Sequence, residues 1–188
     1  MFALRYPGKI TAAMGGVAAA LVRIPHLYHF TNVNNLPGIR RLGGLFSTAR
    51  LGEMGEVFCA GGDEASLLLD RQCGMDQFVH LCFTAGHPMA FRVRERNPNA
   101  NLTYLRIDRT ILGQPDVMFA TGVGYANNAE TTTLADAVER NLIDYHALYD
   151  WTDWNDPEAQ EKRHAAEMCE ILVPGHVAVA FIRNMPNG

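Results

Sequence analysis

The chain has 188 residues, of which 48% are hydrophobic and 19% are charged, and its formal net charge is −4 at pH 7. These values are ordinary for one globular domain, or for one domain with an arm. They exclude a protein whose whole surface is basic, so any nucleic-acid site must be a local patch. No apolar run approaches the roughly 20 residues of a membrane span, and no membrane partner is expected.

Four scattered cysteines show neither CxxC spacing nor the spacing of a cysteine–histidine metal site. Such a pattern is typical of reduced thiols, so we expect a cytoplasmic protein without a metal site. The sequence also lacks a P-loop, a GxGxxG dinucleotide turn and a GxSxG nucleophile elbow. The cysteines are Cys59, Cys73, Cys82 and Cys169.

Residues 1–24 are predicted to form an N-terminal arm that precedes a domain at residues 25–188. Arg5 and Lys9 come before an apolar, alanine-rich run at 12–22, which resembles a weak secretory signal. No small-x-small cleavage site follows this run. We therefore favour an arm, or a start codon placed too far upstream.

The predicted domain opens with a short strand at Leu27–Phe30, followed by a helix. Asn32–Asn35 supplies side chains that can cap the helix, Pro37 suits its first turn, and Gly43-Gly44 ends it. This order predicts a strand, a polar loop and a short helix in succession.

His29 and Thr31 occupy alternating positions on one face, where the first strand gives way to the loop. A histidine in such a place is commonly a core residue with its hydrogen bonds satisfied. The nearby threonine and the Asn-rich loop favour a polar rim that binds a ligand. Both interpretations stay open at this point.

The stretch at 45–62 contains glycine and polar residues throughout and is predicted to be irregular. Asp63 can cap a short helix at Ala65–Arg71. Phe78–Phe83 is rich in aromatic and apolar residues and is predicted to be a strand.

The densest basic cluster consists of Arg92, Arg94 and Arg96, which share one face if the chain is extended. The cluster is either a stripe that contacts phosphates or a solvated edge that discourages pairing between sheets. Lys162 and Arg163 form a second, smaller basic patch.

Further strands are predicted at Leu102–Asp108 and Asp116–Ala120, followed by a Gly- and Asn-rich loop at 121–132. Thr133 and Asp136 make a capping box for a helix whose apolar face continues to the aromatic segment after it. The aromatic side chains of that segment can stack on bases or form a small core under a loop: Tyr145, Tyr149, Trp151 and Trp154.

Glu170 lies inside an apolar run that predicts a buried strand. Pro174-Gly175 supplies a tight turn and Val177–Ile182 a second strand, so we expect a hairpin. A carboxylate is costly to bury unless it is paired or catalytic; the alternative is an edge-strand glutamate that points to water. The order of elements predicts an α+β fold with a mixed sheet.

Four segments, in this order, resemble the DarT family of DNA-modifying ADP-ribosyltransferases, which act as toxins. The first is LYHFTNVNNLPGI at 27–39 with Gly43-Gly44-Leu45, similar to the family pattern YH-x-T…NL-x-x-I…G-x-L. The second is FVHLCF at 78–83 with Pro88-Met89, the third is WNDP at 154–157, and the fourth is EILVP at 170–174. No segment is specific alone, but the ordered set is.

The resemblance implies an ADP-ribosyltransferase-like split mixed β-sheet with flanking helices, and NAD+ bound across the split. It implies Glu170 as the catalytic glutamate and Arg71 as the catalytic arginine, with Arg50 as the alternative. His80 stands where many members have proline, and no role is assigned to it. The residues implied to bind the cofactor are His29, Thr31, Asn35, Leu36 and Met89.

The activity implied by the resemblance is transfer of ADP-ribose from NAD+ to a base in single-stranded DNA, with thymidine favoured over guanine. Breaking the nicotinamide–ribose bond builds positive charge on the ribose, which a fixed carboxylate stabilises. A single strand avoids the cost of flipping a paired base. The residues expected to contact DNA are Arg92, Arg94, Lys162 and Arg163.

A toxin of this kind implies a macrodomain-type antitoxin as partner, which removes the modification. Two other hypotheses stay open. One is a transferase that uses the same NAD+ site to modify protein or RNA. The other is an inactive module that binds NAD+ or a partner without turnover.

Overall fold

The computed structural model describes residues 8–59, 64–122 and 129–185. The strands are β1 (Leu27–Asn32), β2 (Gly44–Phe46), β3 (Phe78–Cys82), β4 (Leu102–Ile107), β5 (Met118–Ala120), β6 (Thr131–Thr133), β7 (Glu170–Pro174) and β8 (His176–Ala178). The α-helices are α1 (Gly8–Arg23), α2 (Leu36–Leu42), α3 (Thr48–Glu53), α4 (Glu64–Gln72), α5 (Pro88–Arg96), α6 (Leu134–Glu139), α7 (Tyr145–Tyr149) and α8 (Pro157–Glu167). Within these ranges, no helix has both the length and the apolar character that a membrane span requires.

Six strands form one sheet in the order β4-β1-β3-β7-β5-β6, and β2 pairs with β8 in a second sheet. Helices flank the sheets, so the expected α+β class is confirmed. Each strand pair recorded in the described ranges is antiparallel, whereas a mixed sheet was expected. Of these pairs, β5 and β6 are joined by a short connection, which suits an antiparallel arrangement because parallel strands need long crossovers.

The large sheet splits between β1 and β3. These strands are paired at Tyr28 and Cys82, and beyond this point they separate. β3 stays paired with β7 over its whole length, from Phe78 opposite Pro174 to Cys82 opposite Glu170. On its other side, Glu170 lies opposite Ala120 of β5. The glutamate therefore lies within the sheet, close to the point where the sheet opens.

The first strand and helix form as the sequence predicts. The side chain of Asn32 caps the turn after β1 by accepting a hydrogen bond from the Asn34 amide at 3.0 Å. Pro37 lies in the first turn of α2, and Gly43 ends that helix with a left-handed backbone at φ 78°. Leu36 and Ile39 of α2 are buried in the core.

The predicted hairpin after Glu170 is wrong. β8 pairs with β2 rather than with β7, because the turn at Gly175 is bonded to other segments. The Gly175 amide donates to the Gln77 carbonyl, and the Ser47 amide donates to the Gly175 carbonyl. The second strand also stops at Ala178, where a 3₁₀ turn replaces the extended chain that was expected up to Ile182.

The β2–β8 pair depends on a glycine at position 44. A Cβ atom built there would lie 2.2 Å from the Val177 carbonyl oxygen, so only glycine allows the two backbones to come this close.

Arg92, Arg94 and Arg96 would share a face only in an extended chain, and this stretch instead belongs to helix α5. Pro88 occupies the first turn of the helix, and the His87 ring caps it by accepting a hydrogen bond from the Met89 amide. Arg92 and Arg96 therefore share one face, whereas Arg94 lies on another. The condition for a stripe of all three arginines on one face is therefore not met.

Two segments predicted to be irregular contain short elements. The stretch at 45–62 includes the end of β2 and helix α3, which the Ser47 side chain caps. The predicted loop at 121–132 runs into β6, while its residues 123–128 lie outside the described ranges. The helix predicted at Ala65–Arg71 is confirmed as part of α4, and its expected cap Asp63 lies outside the described residues.

The capping box of α6 is confirmed, because the Thr133 hydroxyl accepts a hydrogen bond from the Asp136 amide. The helix ends at Glu139, earlier than its apolar periodicity predicts. Asn141 has φ 53°, which interrupts the helix before α7 begins.

Helix α1 packs against the rest of the domain. Ala20 and Ile24, the residue that follows the helix, have no exposed surface and belong to the main core. The Arg23 guanidinium lies 3.8 Å from the centre of the Tyr145 ring, a cation–π contact. The domain boundary proposed after residue 24 stays a prediction.

Candidate active site

A cavity of about 510 Å³ occupies the split between β1 and β3. β1 contributes His29 and Thr31 to its wall, and β3 contributes His80. Helix α2 and the segment at 56–59 close it from the other side, and Glu170 lies at its base. A cavity of this size fits a small-molecule ligand.

Glu170 is 5% exposed, and its carboxylate is paired with a histidine. Oε2 lies 2.9 Å from Nδ1 of His80. Oε1 lies 3.9 Å from Nε2 of His87, which is too far for a hydrogen bond. Because an unpaired buried carboxylate would be costly, the contact with His80 explains how the sheet holds this charge. The alternative of an edge-strand glutamate that points to water is wrong.

His80 is held at both ring nitrogens. Nε2 lies 3.1 Å from the Met75 carbonyl oxygen, while Nδ1 faces Glu170. Burial alone lowers the pKa of His80, but the charge and the hydrogen bond of Glu170 outweigh burial and raise the pKa to about 9. Asp70 of α4 also lines the cavity, and its charge adds to this effect. Glu170 and His80 therefore form an ion pair within the apolar sheet.

His29 is both satisfied and accessible to a ligand, so each of the two interpretations from sequence holds in part. Its Nδ1 donates a hydrogen bond to the His80 carbonyl at 3.0 Å, which fixes the tautomer. Burial lowers the pKa of His29, so the ring is neutral. Its Nε2 is then an acceptor on a side chain that lines the cavity.

His87 is a buried histidine that sequence analysis missed. Its Nδ1 accepts a hydrogen bond from the Met89 amide at 3.2 Å, so the ring proton belongs to Nε2. Nε2 has no hydrogen-bond partner among the described residues. Burial lowers the pKa of His87, and a neutral ring therefore faces Oε1 of Glu170. No sequence signal marks this role, because it depends on where α5 begins.

Asn35 fastens the segment at 56–59 over the cavity. Its Nδ2 donates to the Thr31 hydroxyl at 3.0 Å and to the Cys59 carbonyl at 2.9 Å. Its Oδ1 accepts from the Cys59 amide at 2.8 Å. The side chain thus links β1 and α2 to the opposite wall.

The structure brings together most of the predicted cofactor residues but not the predicted arginines. Leu36 is 2% exposed and packs in the core, outside the cavity lining. Arg71 and Arg50 are exposed and lie outside the lining, although Asp70 beside Arg71 belongs to it. Of the predicted residues, the cavity lining includes His29, Thr31, Asn35, Met89 and Glu170.

Arg41 is an arginine of the cavity wall that sequence analysis missed. It forms a two-point ion pair with Glu56, which also lines the cavity. The sequence around Arg41 reads as the last turn of an exposed helix. Its position at the cavity depends on the return of the chain at 56–59, which local pattern does not reveal.

The residues expected to contact DNA lie outside the cavity lining. Arg163 donates to the carbonyls of Ala147 and Leu148 and pairs with Glu167, so it supports the end of α7. Lys162 pairs with Glu158 on α8. Arg92 is exposed on α5, and Arg94 lies 5.7 Å from the centre of the Tyr104 ring.

The aromatic segment divides into two parts. Tyr145 and Tyr149 pack against the main core, in agreement with the small-core interpretation. Trp151 and Trp154 are 84% and 62% exposed, which leaves their ring faces open. In the described ranges, no group of His, Cys, Asp and Glu side chains is arranged to hold a metal ion.

Solved structures of two proteins share this fold. Thermosipho africanus DarTG in complex with ADP-ribose aligns with a TM-score of 0.65 at 20% identity, over 84% of this chain and 42% of that chain. Thermus sp. 2.9 DarT in complex with ADP-ribosylated ssDNA aligns with a TM-score of 0.64 at 18% identity, over 85% of this chain and 79% of that chain. The same Thermus protein in complex with NAD+ aligns with a TM-score of 0.58 at 18% identity, over 85% of this chain and 80% of that chain. The chain thus spans less than half of the Thermosipho protein.

The search of curated proteins finds no match. A family model does match, over residues 28–185, and it describes DarT, the ssDNA thymidine ADP-ribosyltransferase. This range contains every residue of the cavity described above and all of both sheets except Leu27, the first residue of β1. Together with the shared fold, the match shows that this chain belongs to the DarT family.

Proposed function

We propose that this protein transfers ADP-ribose from NAD+ to thymidine in single-stranded DNA. The observation that carries the proposal is the Glu170 carboxylate, buried at the base of a cavity in the split sheet. Family membership gives the substrate class. Guanine is the alternative acceptor.

The nicotinamide–ribose bond of NAD+ breaks as positive charge builds on the ribose. A carboxylate held in place by the protein stabilises this charge without reorganising. Glu170 is such a group, because His80 and the sheet fix its position. The neutral ring of His29 and the Thr31 hydroxyl offer hydrogen bonds to the nicotinamide or its ribose.

Thymine in a nucleotide carries one ring N–H, at N3, and this nitrogen must lose its proton as it bonds to the ribose. Glu170 is the group that removes this proton as general base. In a single strand the N3–H is not occupied by base pairing, so the acceptor reaches the cavity at little cost.

Arg71 remains the proposed catalytic arginine, with Arg50 as its alternative. Support for Arg71 comes from its neighbour Asp70, which lines the cavity and places the last turn of α4 beside it. The exposed residues of α5, Arg92 and Arg94, are proposed to contact the DNA backbone.

The proposed biological role is that of a toxin that modifies DNA in the cytoplasm. A macrodomain-type antitoxin that removes ADP-ribose from DNA is its proposed partner. The similarity to the fold of Thermosipho africanus DarTG supports this role.

Mass spectrometry of defined acceptors tests the proposal. Oligonucleotides that each contain one thymidine, guanosine, cytidine or adenosine in an otherwise uniform strand are incubated with NAD+ and the protein. A duplex, an RNA of the same sequence and a protein mixture serve as competing acceptors. We expect one ADP-ribose on the single-stranded thymidine oligonucleotide and far less on its duplex.

Each alternative predicts a different outcome. An adduct on guanosine alone would change the acceptor, and label on protein or RNA alone would change the substrate class. NAD+ that is neither consumed nor transferred would contradict an enzymatic role altogether and would favour an inactive NAD-binding module.

A further inference from the structure

The His80 ring has one nitrogen whose protonation is fixed and one whose protonation can change. A carbonyl oxygen only accepts hydrogen bonds, so Nε2, 3.1 Å from the Met75 carbonyl, carries a proton. Nδ1 lies 2.9 Å from Oε2 of Glu170. The contact between Nδ1 and Oε2 therefore holds either one shared proton or none. When no proton lies between Nδ1 and Oε2, the two side chains together can accept one, and we call this state the empty pair.

We propose that Glu170 and His80 act as one base in the transfer, and that Nδ1 of His80 receives the proton that Glu170 takes from the acceptor. This inference rests on the proposed function, since it describes how the transfer disposes of its proton. His80 does not touch the acceptor in this scheme. It is a positioning residue that acts through the Glu170 carboxylate.

The bond between the ribose C1 and the nicotinamide nitrogen breaks, and its electron pair neutralises the positively charged pyridinium ring. The thymine N3 forms a bond to the same carbon, and its proton passes to Glu170. The proton then moves along the existing hydrogen bond to Nδ1 of His80, and it leaves to solvent after the products. Glu170 is thereby restored as a carboxylate.

The groups around His80 set the proton affinity of the pair. Glu170 from β7 and Asp70 from α4 face it with negative charge, and they raise the pKa of His80 to about 9 against the effect of burial. His29 from β1 and His87 at the start of α5 are neutral, because burial lowers the pKa of each. Cys82, on the same strand as His80, stays a thiol, since burial raises its pKa. The empty pair thus has a high affinity for one proton, as a proton acceptor requires.

Bound NAD+ changes this balance in the direction that catalysis needs. The nicotinamide ring of NAD+ is positively charged, and it opposes a second positive charge in the same cavity. NAD+ binding therefore lowers the proton affinity of the pair, which favours loss of its proton before the acceptor arrives. When nicotinamide leaves as a neutral molecule, that opposition ends and the pair can accept the new proton.

The test is the pH dependence of transfer in the His80→Asn variant. Asparagine keeps an amide near the position of Nδ1 that can bond Glu170, but it cannot take a proton. In the wild type the rate rises with pH, because only the empty pair can act as the base. For kcat/KM with respect to NAD+, which reports the free enzyme, we expect the rising part of the pH profile, the alkaline limb, near pH 9, where the free pair loses its proton. For kcat, which reports the enzyme with NAD+ bound, we expect it at lower pH.

In His80→Asn we expect this alkaline limb to disappear and the rate at pH 8 to fall roughly tenfold to hundredfold. The NAD+ dissociation constant, measured separately, is expected to change little, which confirms that the variant folds. His146→Asn is the matched control, since His146 also pairs with a carboxylate, Asp150, but lies outside the cavity lining. Its profile is expected to match the wild type.

Two outcomes would overturn the inference. One is a His80→Asn enzyme with the wild-type limb, which would assign that limb to the thymine N3–H itself. The other is a uniform loss of rate at every pH with the limb in place, which would reduce His80 to a structural role.

If His80→Asn does not fold, the pKa of His80 is measured instead from ring ¹⁵N NMR spectra of the wild type with and without NAD+. The Glu170→Gln variant, which lacks the carboxylate, serves as the comparison. The inference requires a His80 pKa near 9 that NAD+ lowers, and an unchanged value on NAD+ binding contradicts it. Absence of transfer by the wild type at every pH would instead contradict the proposed function, so the two failures are distinguishable.

Discussion

Glu170 lies between two imidazole rings, and the two contacts differ in kind. His80 forms a short hydrogen bond to Oε2, whereas the neutral ring of His87 stops 3.9 Å from Oε1. The buried Nε2–H of His87 lacks a partner among the described residues, which is costly for a buried donor. His87 lies outside the cavity lining. Of the two rings, it is His80 that both hydrogen-bonds the Glu170 carboxylate and lines the cavity.

The Glu170–His80 pair makes stability depend on pH. The pKa of His80 is raised in the folded state, so its contribution is complete below about pH 6.5 and is lost as pH rises through about 9. We expect the free energy of unfolding of the wild type to fall over this range relative to His80→Asn. The difference is on the order of 3 kcal/mol at most, and urea unfolding at pH 6, 7.5 and 9 measures it.

Taking the difference between the two proteins cancels the opposite contributions of His29 and His87, whose lowered pKa values destabilise the fold in acid. A difference that is constant from pH 6 to 9 would contradict the pairing of His80 with Glu170.

At the scale of elements, the cavity exists because β1 and β3 separate after a shared pairing and α2 closes the gap. Asn35 joins this framework to the segment at 56–59 through hydrogen bonds to Thr31 and Cys59. The segment itself has few buried apolar side chains, and Val57 is 97% exposed. Its position over the cavity therefore depends on polar contacts, which are those of the Asn35 side chain and the ion pair between Arg41 and Glu56.

Asn35→Asp is expected to weaken NAD+ binding roughly tenfold while kcat changes less. Aspartate loses the donor to the Cys59 carbonyl and places a negative charge beside it, which costs about 1–3 kcal/mol. Calorimetric titration with NAD+ measures the dissociation constant. Asn99→Asp introduces the same charge in an exposed turn and is expected to bind NAD+ like the wild type. Equal affinity of Asn35→Asp and wild type would refute the role of this side chain.

The sequence predicted elements well where local chemistry decides them and poorly where long-range contacts decide. The cap at Asn32, the end of α2 at Gly43 and the capping box at Thr133 all depend on neighbours within a few residues. The hairpin after Glu170 failed because the Gly175 turn is held by Gln77 and by the β2 region, which are distant in sequence.

The candidate site shows the same limit. Glu170 and His29 were identifiable because a carboxylate and a histidine in apolar strands are unusual, and because the surrounding motifs resemble a known family. The contact between His80 and Glu170 spans 90 positions, and no local pattern reveals it. Arg41 was missed for the same reason, since only the returning chain makes it part of the cavity.

For the whole molecule, a net charge of −4 limits how the proposed DNA substrate can be held. Lys162 and Arg163 are already paired with carboxylates of α8. Of the four residues predicted to contact DNA, Arg92 and Arg94 of α5 are exposed and are recorded in no ion pair with a carboxylate of the described residues. Binding of a single strand should therefore depend on few phosphate contacts and on the base in the cavity.

The salt dependence of binding tests this view. With two or three phosphate contacts, log K for a thymidine oligonucleotide should fall with log salt at a slope of roughly −2. Arg92→Gln should reduce the slope by about 0.7. Arg140→Gln, which removes an exposed arginine paired with Glu130, should leave it unchanged. A slope of about −5 or steeper would contradict a local patch. Fluorescence anisotropy between 20 and 300 mM salt supplies the values.

The most direct test of the account is single-turnover transfer to an oligonucleotide with one thymidine, by the wild type and by Glu170→Gln. We expect one ADP-ribose added by the wild type and a loss of at least about a thousandfold in the variant, with NAD+ still bound. Glu139→Gln, an exposed glutamate at the end of α6, is the matched control and should react like the wild type. Transfer by Glu170→Gln within tenfold of the wild-type rate would contradict the account.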